Sequence, residues 1–295
     1  MSSILAAIAG KKVLVGDGAW GTFLMRKGMQ PGECPELWCI EHADDVRDIA
    51  KMYVDAGADI VMTDSFGGSR FKLEHYGLAG RVSELNEAAA RLSREAIGDQ
   101  GYVMASVGST GKLLMMGDVT EEELYDAFKE QMVALERGGA DAVVVETMSA
   151  LDEACAAIRA AKENTGLVVL TTFAFDTKTP QGYRTMMGVS PEQMAEAALE
   201  AGADAVGANC ALGSDEMVMI AEALRAAAPG TPIIVQPNAG RPIPREDGSN
   251  DYPETPEMFA ANVPRLVEAG ASIIGGCCGT RPEHIRAIRA AVDAL

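Results

Sequence analysis

The sequence is poor in aromatic rings, in histidine and in positive charge. Only 5% of its 295 residues are Phe, Trp or Tyr, and histidine occurs 3 times. Lys and Arg total 25 against 43 Asp and Glu, a net charge of −18. A nucleic-acid-binding protein needs a basic face, and no basic run supplies one, so nucleic acid is not an expected partner. No apolar run approaches the roughly 20 residues that cross a bilayer, so no membrane association is expected. The opening "MSSILAAIAGKK" has no basic region ahead of its short apolar stretch, so no signal peptide is expected and the expected location is cytoplasmic.

Hydrophobic residues make up 48% of the chain and charged residues 23%, the balance of a globular protein. The six cysteines do not read as a disulfide framework, because thiols in a large cytoplasmic protein stay reduced. Metal binding or catalysis is the better reading of any cysteine cluster.

One phrase recurs: "AGADIVMTD" from Ala56, "GGADAVVVE" from Gly138, "AGADAVGAN" from Ala201 and "AGASIIGGC" from Ala269. Each closes an amphipathic helix with glycine and opens a short apolar strand. The glycines at 57, 139, 202 and 270 are spaced by 82, 63 and 68 residues, room for two strand–helix units per step. The intervening strands are "KKVLVGDGAW", "GYVMASVGST", "LVVLTTFAF" and "TPIIVQPNAG". Eight apolar runs alternating with helices predict an α/β fold, a (β/α)8 TIM barrel forming a single domain over residues 1–295. A doubly wound open sheet is the rival. The glycines of "GDGAWGT" have dinucleotide-fingerprint spacing, but "FLMRKGMQPGEC" after them breaks too soon for a regular helix to hold a pyrophosphate. Capping boxes are expected at Thr120/Glu123, Ser190/Gln193 and Thr280/Glu283. The stretch "NAGRPIPREDGSNDYPETP" reads as a long loop after strand seven.

Barrel active sites lie at the C-terminal ends of the strands. Those ends carry Asp17, Asp64, Ser109 with Thr110, Glu146, Phe173, Asn209 with Cys210, Asn238, and Cys277 with Cys278. Three cysteines from strands six and eight, separated by strand seven alone, converge in such a barrel. Three thiolates and one open position make a catalytic zinc site. Neighbouring side chains on an extended strand point apart, so Cys277 and Cys278 share an ion only if the backbone turns, which Gly275, Gly276 and Gly279 permit. Small buried cysteines are equally common in cores, and spacing alone leaves both readings open. Cys155 lies at helical spacing with Leu151 and Ile158 and reads as core. Cys34 and Cys39 in "CPELWC" read as unlinked loop thiols rather than a redox pair. None of the histidines lies at a strand end. The methionines of "LLMMGD" and "TMMG" read as gap fillers before they read as a docking surface.

The segments "GDGAWGT", "AGADIVMTDSFG", "GSTGKL", "GGADAVVVETMSAL", "GANCALG", "QPNAGRP" and "GGCCGT" resemble the homocysteine S-methyltransferase family over nearly the whole chain. The likeness is greatest to the homocysteine-binding barrel of cobalamin-dependent methionine synthases. The resemblance implies Zn2+ on Cys210, Cys277 and Cys278, and homocysteine held by Asp17 and Glu146. Ser109, Thr110, Asn209 and Asn238 are further candidate substrate contacts, with Asn238 also a candidate for the fourth zinc position. The helix starting near Thr280 is a candidate anion site for the substrate carboxylate. Two motifs depart from the family: "GSTG" replaces its usual GPTG, and Asp64-Ser65-Phe66 replaces Asn-Thr-Phe. Both lie at the mouth and leave the metal ligands intact. The implied reaction makes methionine from homocysteine. The expected donor is methylcobalamin or another methyl-corrinoid on a separate protein, since the segments that match include no cobalamin module. The alternatives are S-methylmethionine or betaine as donor, or a zinc- and thiol-binding barrel without turnover. A cage for a cationic methyl centre would have to come from few rings, with Trp20, Phe66 and Phe173 nearest the strand ends.

Overall fold

The repeated phrase does its work at the bottom of the molecule. In the computed structural model, which describes residues 3–10, 13–245 and 249–295, eight parallel strands follow the sequence runs. They are β1 (Leu14–Val15), β2 (Ile60–Met62), β3 (Tyr102–Val107), β4 (Ala142–Met148), β5 (Val168–Phe173), β6 (Ala205–Asn209), β7 (Ile233–Gln236) and β8 (Ala271–Ile274). Their order is β1-β8-β7-β6-β5-β4-β3-β2. Lys11 and Lys12 of the first run, and residues 246–248 of the long loop, lie outside the described residues.

Each aspartate of the phrase stitches its strand to the one before. The Asp59 N–H donates to Val15 O at 2.7 Å, and the Val15 N–H returns a bond to Asp59 Oδ2 at 2.9 Å. Asp141 makes the same pair with Val103, and Asp204 with Val169. A cation from an outer helix then meets each carboxylate: Arg289, Arg94 and Lys162 respectively. The fourth copy has Ser272 in place of the aspartate, and there the β7–β8 register shifts between Ala271 and Ile273. Beside it, Arg225 donates to Gly270 O at 2.9 Å.

The outer layer is α1 (Ala43–Asp55), α2 (Val82–Ile97), α3 (Glu121–Arg137), α4 (Leu151–Asn164), α5 (Pro191–Glu200), α6 (Ser214–Ala227), α7 (Pro256–Glu268) and α8 (Pro282–Asp293). The capping boxes at Thr120/Glu123 and Ser190/Gln193 form as expected. The one at Thr280 does not. The last helix begins at Pro282 with Arg281 as its cap, and the Arg281 N–H bonds His284 Nδ1 at 3.2 Å. The Thr280 hydroxyl is already committed, donating to Cys277 O at 2.7 Å and accepting from the Ala19 N–H at 3.2 Å.

Side chains alternate between two cores, as the strand period of two requires. Val61, Val103, Val143, Val145, Val169 and Val206 face the helices. Leu14, Ile60, Tyr102, Met104, Val144, Leu170, Ile234 and Ile273 fill the barrel, and Ile4 of the short helix Ile4–Ala9 packs against them. Continuing the inward row upward by twos from Met104, Val144, Leu170 and Ile234 gives Ser106, Glu146, Thr172 and Gln236. The barrel interior therefore changes from apolar to polar in its top layer, where the strands end.

Candidate metal centre and substrate cavity

The polar layer floors a cavity of about 510 Å³. Cys210, Cys277, Cys278 and Glu146 line it, with Trp20 and Phe66 on its walls. The three sulfurs all lie within 4.8 Å of one another, and Cys210 Sγ and Cys278 Sγ are 3.9 Å apart. Zinc–sulfur bonds of about 2.3 Å in a tetrahedron put sulfurs about 3.8 Å apart. The donor set thus fits a thiophilic ion in both chemistry and spacing.

The backbone turns at both cysteine loops, and at the adjacent pair the Thr280 N–H donates back to Cys277 O at 3.1 Å. Cys210 and Ala211 both have left-handed φ, 61° and 62°. The Cys210 N–H donates to Gln236 O at 3.0 Å, and the Cys277 N–H to Pro237 O at 2.8 Å. The Ala239 N–H donates to Cys278 O at 2.9 Å. The end of β7 therefore clamps both cysteine loops. Gly276 is needed because a Cβ there would stand 2.4 Å from Thr280 Oγ1. Gly279 has φ +80° and lies under the Tyr252 ring. The sulfurs share charge unequally. Hydrogen bonds from Cys210 and Cys277 bring Cys278 down to about 3, whereas Cys277 is pushed well above the usual thiol range by its bonds to the other two and by burial.

Glu146 is held at both oxygens: Ser106 Oγ donates to Oε1, and Asn209 Nδ2 donates to Oε2 at 3.0 Å. Burial nonetheless raises its pKa to about 7, with Asp17 and Cys210 adding repulsion. Asp17 is also lifted to about 7 by burial. Its Oδ2 accepts from the Met62 N–H at 2.8 Å and Trp20 Nε1 at 2.9 Å, which closes the upper part of the β1–β2 seam. Asp17 Oδ1 is buried with no partner among the described residues.

Asp17 lies just behind the cavity wall rather than on it, and the other candidate substrate contacts do not line the cavity either. Ser109 Oγ and the N–H and hydroxyl of Thr110 all bind the carboxylate of Glu153 at 2.6–2.8 Å, anchoring the start of α4. Asn209 lies behind Glu146. The Asn238 N–H donates to Leu212 O, while its buried Oδ1 has no partner among the described residues.

Sequence reasoning missed Glu36, Lys72 and Tyr76, which join Asp64 on the outer cavity wall. Glu36 Oε1 accepts from the Gly67 N–H at 2.6 Å. Burial raises the pKa of both Glu36 and Asp64. The signal for Glu36 was its place in "CPELWC", which drew attention to the flanking cysteines instead. Those are buried free thiols; Cys34 is pushed up to about 12, chiefly by burial, and Cys39 is raised well above the usual range for the same reason. Cys155 is half-buried against Ala197 O. Trp20 and Phe66 line the cavity, and Phe173 is core, stacked on Phe175. Met115, Met116 and Met186 are exposed by 72%, 68% and 73%, so they do not fill core gaps. No described helix is long and apolar enough to cross a membrane.

Comparison with known proteins agrees with this geometry. The chain is 34% identical to a methionine synthase of Mycobacterium tuberculosis and 33% identical to one of Mycobacterium leprae, over 98% and 96% of its own length. It spans about a quarter of those relatives: 25% and 24%. The fold matches the metallated homocysteine methyltransferase MmuM of Escherichia coli with a TM-score of 0.79, covering 97% of this chain and 98% of that one at 22% identity. The family model described as homocysteine S-methyltransferase matches residues 14–292, and the chain belongs to that family.

Proposed function

We propose that this barrel transfers a methyl group to the sulfur of homocysteine, giving methionine, with zinc held by Cys210, Cys277 and Cys278. The observation that carries the reading is the meeting of three sulfurs with a buried carboxyl, Glu146, on the floor of one cavity. Zinc there would lower the pKa of the incoming thiol and hold its sulfur at the open position. The protein's own groups handle the amino-acid end. Asp17 Oδ1 lacks a donor, and a substrate ammonium group supplies one. Arrival of that cation draws Glu146 and Asp17 toward their ionised forms, so the site exchanges buried protons for a buried ion pair. The ionised sulfur donates its electron pair to the methyl carbon. The carbon–donor bond breaks with its electrons staying on the donor, and the thiol proton has by then left to solvent.

The donor we propose is a methyl-corrinoid carried on protein. Lys72 on the outer wall opposes a cationic donor, and burial disfavours the charged forms of Glu36 and Asp64 that would attract one. The exposed methionines of the loops after β3 and β5 offer an apolar, adaptable rim for a protein-borne cofactor. The second reading, a small sulfonium or ammonium donor, is favoured by Trp20, Phe66 and Tyr76 in the same cavity. The test is methionine formation from homocysteine with methylcobalamin, betaine and S-methylmethionine in parallel. Faster turnover with methylcobalamin is expected. A higher kcat/KM with either onium donor would overturn the corrinoid reading. Failure of all three, with a protein-bound methyl-corrinoid included, would leave a thiol-binding barrel.

A further inference from the structure

The β4–β5 ladder breaks at the site. Val145 pairs with Thr171 and Met148 with Phe173, so Glu146 and Thr147 together face the single residue Thr172. This is a β-bulge, a device that re-aims side chains beside active sites. It carries a cost, because Thr147 takes φ +58°, which a β-branched residue rarely adopts. It also removes the Thr147 N–H from the ladder. Asn209, at the end of β6, reaches across β5 to repair both. Its Oδ1 accepts from the Thr147 N–H at 3.0 Å and from Thr172 Oγ1 at 2.9 Å. Its Nδ2 donates to Thr147 Oγ1 at 2.7 Å and to Glu146 Oε2 at 3.0 Å. All four hydrogen-bonding positions of the amide are used, so none is left for substrate. The next residue is Cys210.

We infer that Asn209 is a positioning residue that sets the Glu146 carboxyl for the substrate ammonium group from the strand that also delivers a metal ligand. The inference rests on the proposed role of Glu146. The test is calorimetric binding of homocysteine and of 4-mercaptobutyrate, which lacks only the amino group, to zinc-loaded protein. In Asn209→Ala, homocysteine affinity should fall on the order of 10- to 100-fold, the size of a lost charge-assisted hydrogen bond. Affinity for 4-mercaptobutyrate and zinc content should hold. Asn209→Asp keeps the shape and both bonds accepted at Oδ1 but sets a carboxylate against Glu146, and should lose the same discrimination. Equal weakening of both thiols, or loss of the fold in both variants by circular dichroism, would make Asn209 a structural residue and overturn the inference. Glu146→Gln separates the two levels. If it leaves the discrimination intact, the ammonium role of Glu146 fails. If it abolishes the discrimination while Asn209→Ala does not, only the positioning role fails.

Discussion

Glu146→Gln should stabilise the protein at alkaline pH while disabling it. Glu146 is 7% exposed, and its pKa rises from the ordinary 4.5 to about 7 in the fold. A carboxyl whose folded pKa is raised holds its proton in the native state while the unfolded chain has released it. Its contribution is neutral below about pH 4 and becomes destabilising as pH rises, reaching its full cost above about pH 7. Moving the carboxyl from 4.5 to about 7 corresponds to on the order of 3 kcal/mol, of which about 2–3 kcal/mol develops between pH 5 and pH 8. Glutamine can keep the local bonds: its Oε1 accepts from Asn209 Nδ2, and its Nε2 donates to Ser106 Oγ once that hydroxyl turns. Urea unfolding of metal-free, reduced wild type and variant at both pH values reads the difference. Titration of the cysteines and of Asp17 largely cancels in the comparison. The variant should gain about 2 kcal/mol or more on wild type between pH 5 and pH 8. A gap that does not change with pH would refute the claim that Glu146 is buried as an acid.

Three further outcomes follow from the same structure. Single Cys→Ala changes at 210, 277 or 278 should strip most zinc with the fold retained, whereas Cys155→Ala should not, as elemental analysis of purified protein would tell; full occupancy in Cys278→Ala would remove that residue from the site. Homocysteine binding should release more than one proton at pH 7, from the thiol and in part from Glu146 and Asp17, and less than one at pH 8.5, where the acids are already ionised and about half of the free thiol is too; calorimetry in buffers of different ionisation enthalpy counts them, and a constant count would contradict the raised pKa values. Asp141→Ala should cost about 1–3 kcal/mol in urea unfolding, because the Val103 N–H and the Arg94 guanidinium both lose an acceptor; a change within experimental error would dismiss the strand-stitching role.

The barrel was legible because its signal is repeated: glycine stops and apolar runs recur along the chain, and each resolves into a strand. The work of the repeated aspartates was not legible, because their partners lie on the preceding strand, 35 to 44 residues away. The same limit governs the site. Cys277 and Cys278 announced themselves through an adjacency that no strand needs. Cys210 joined them through its place at the end of strand six, and the resemblance decided for metal over buried cysteines, which spacing alone left open for all three. Ser109 and Thr110 follow a strand end as expected but turn sideways to Glu153, because β3 stops at Val107 and the loop beyond it, not the strand alternation, aims both side chains. Thr280 reads as a helix cap, yet the bond it makes back to Cys277 serves the cysteine turn instead. Glu36 lies outside every strand end and reaches the cavity only through tertiary packing.

The two ends of the barrel divide the labour between holding and acting. At the N-terminal end, aspartates meet backbone N–H groups and cations, and those bonds favour the fold alone. At the C-terminal end the fold leaves polar groups unsatisfied or costly: Asp17 Oδ1 lacks a donor among the described residues, and burial raises the pKa of Glu146, on the inward row, to about 7. Three sulfurs crowd within 4.8 Å, and Thr147, Cys210 and Ala211 adopt left-handed backbone. Strain and unpaired polarity of this kind persist only where the surroundings over-determine them. Here the surroundings are the bottom stitches, the Asn209 brace and the β7 clamp on both cysteine loops. Under the proposed function a homocysteine–zinc pair would answer each of these groups, with a cation for the acids and a metal for the sulfurs. A ligand that supplied both would offset the burial cost of the acids. Its binding free energy therefore includes a share stored in the protein, and the site should be more stable occupied than empty.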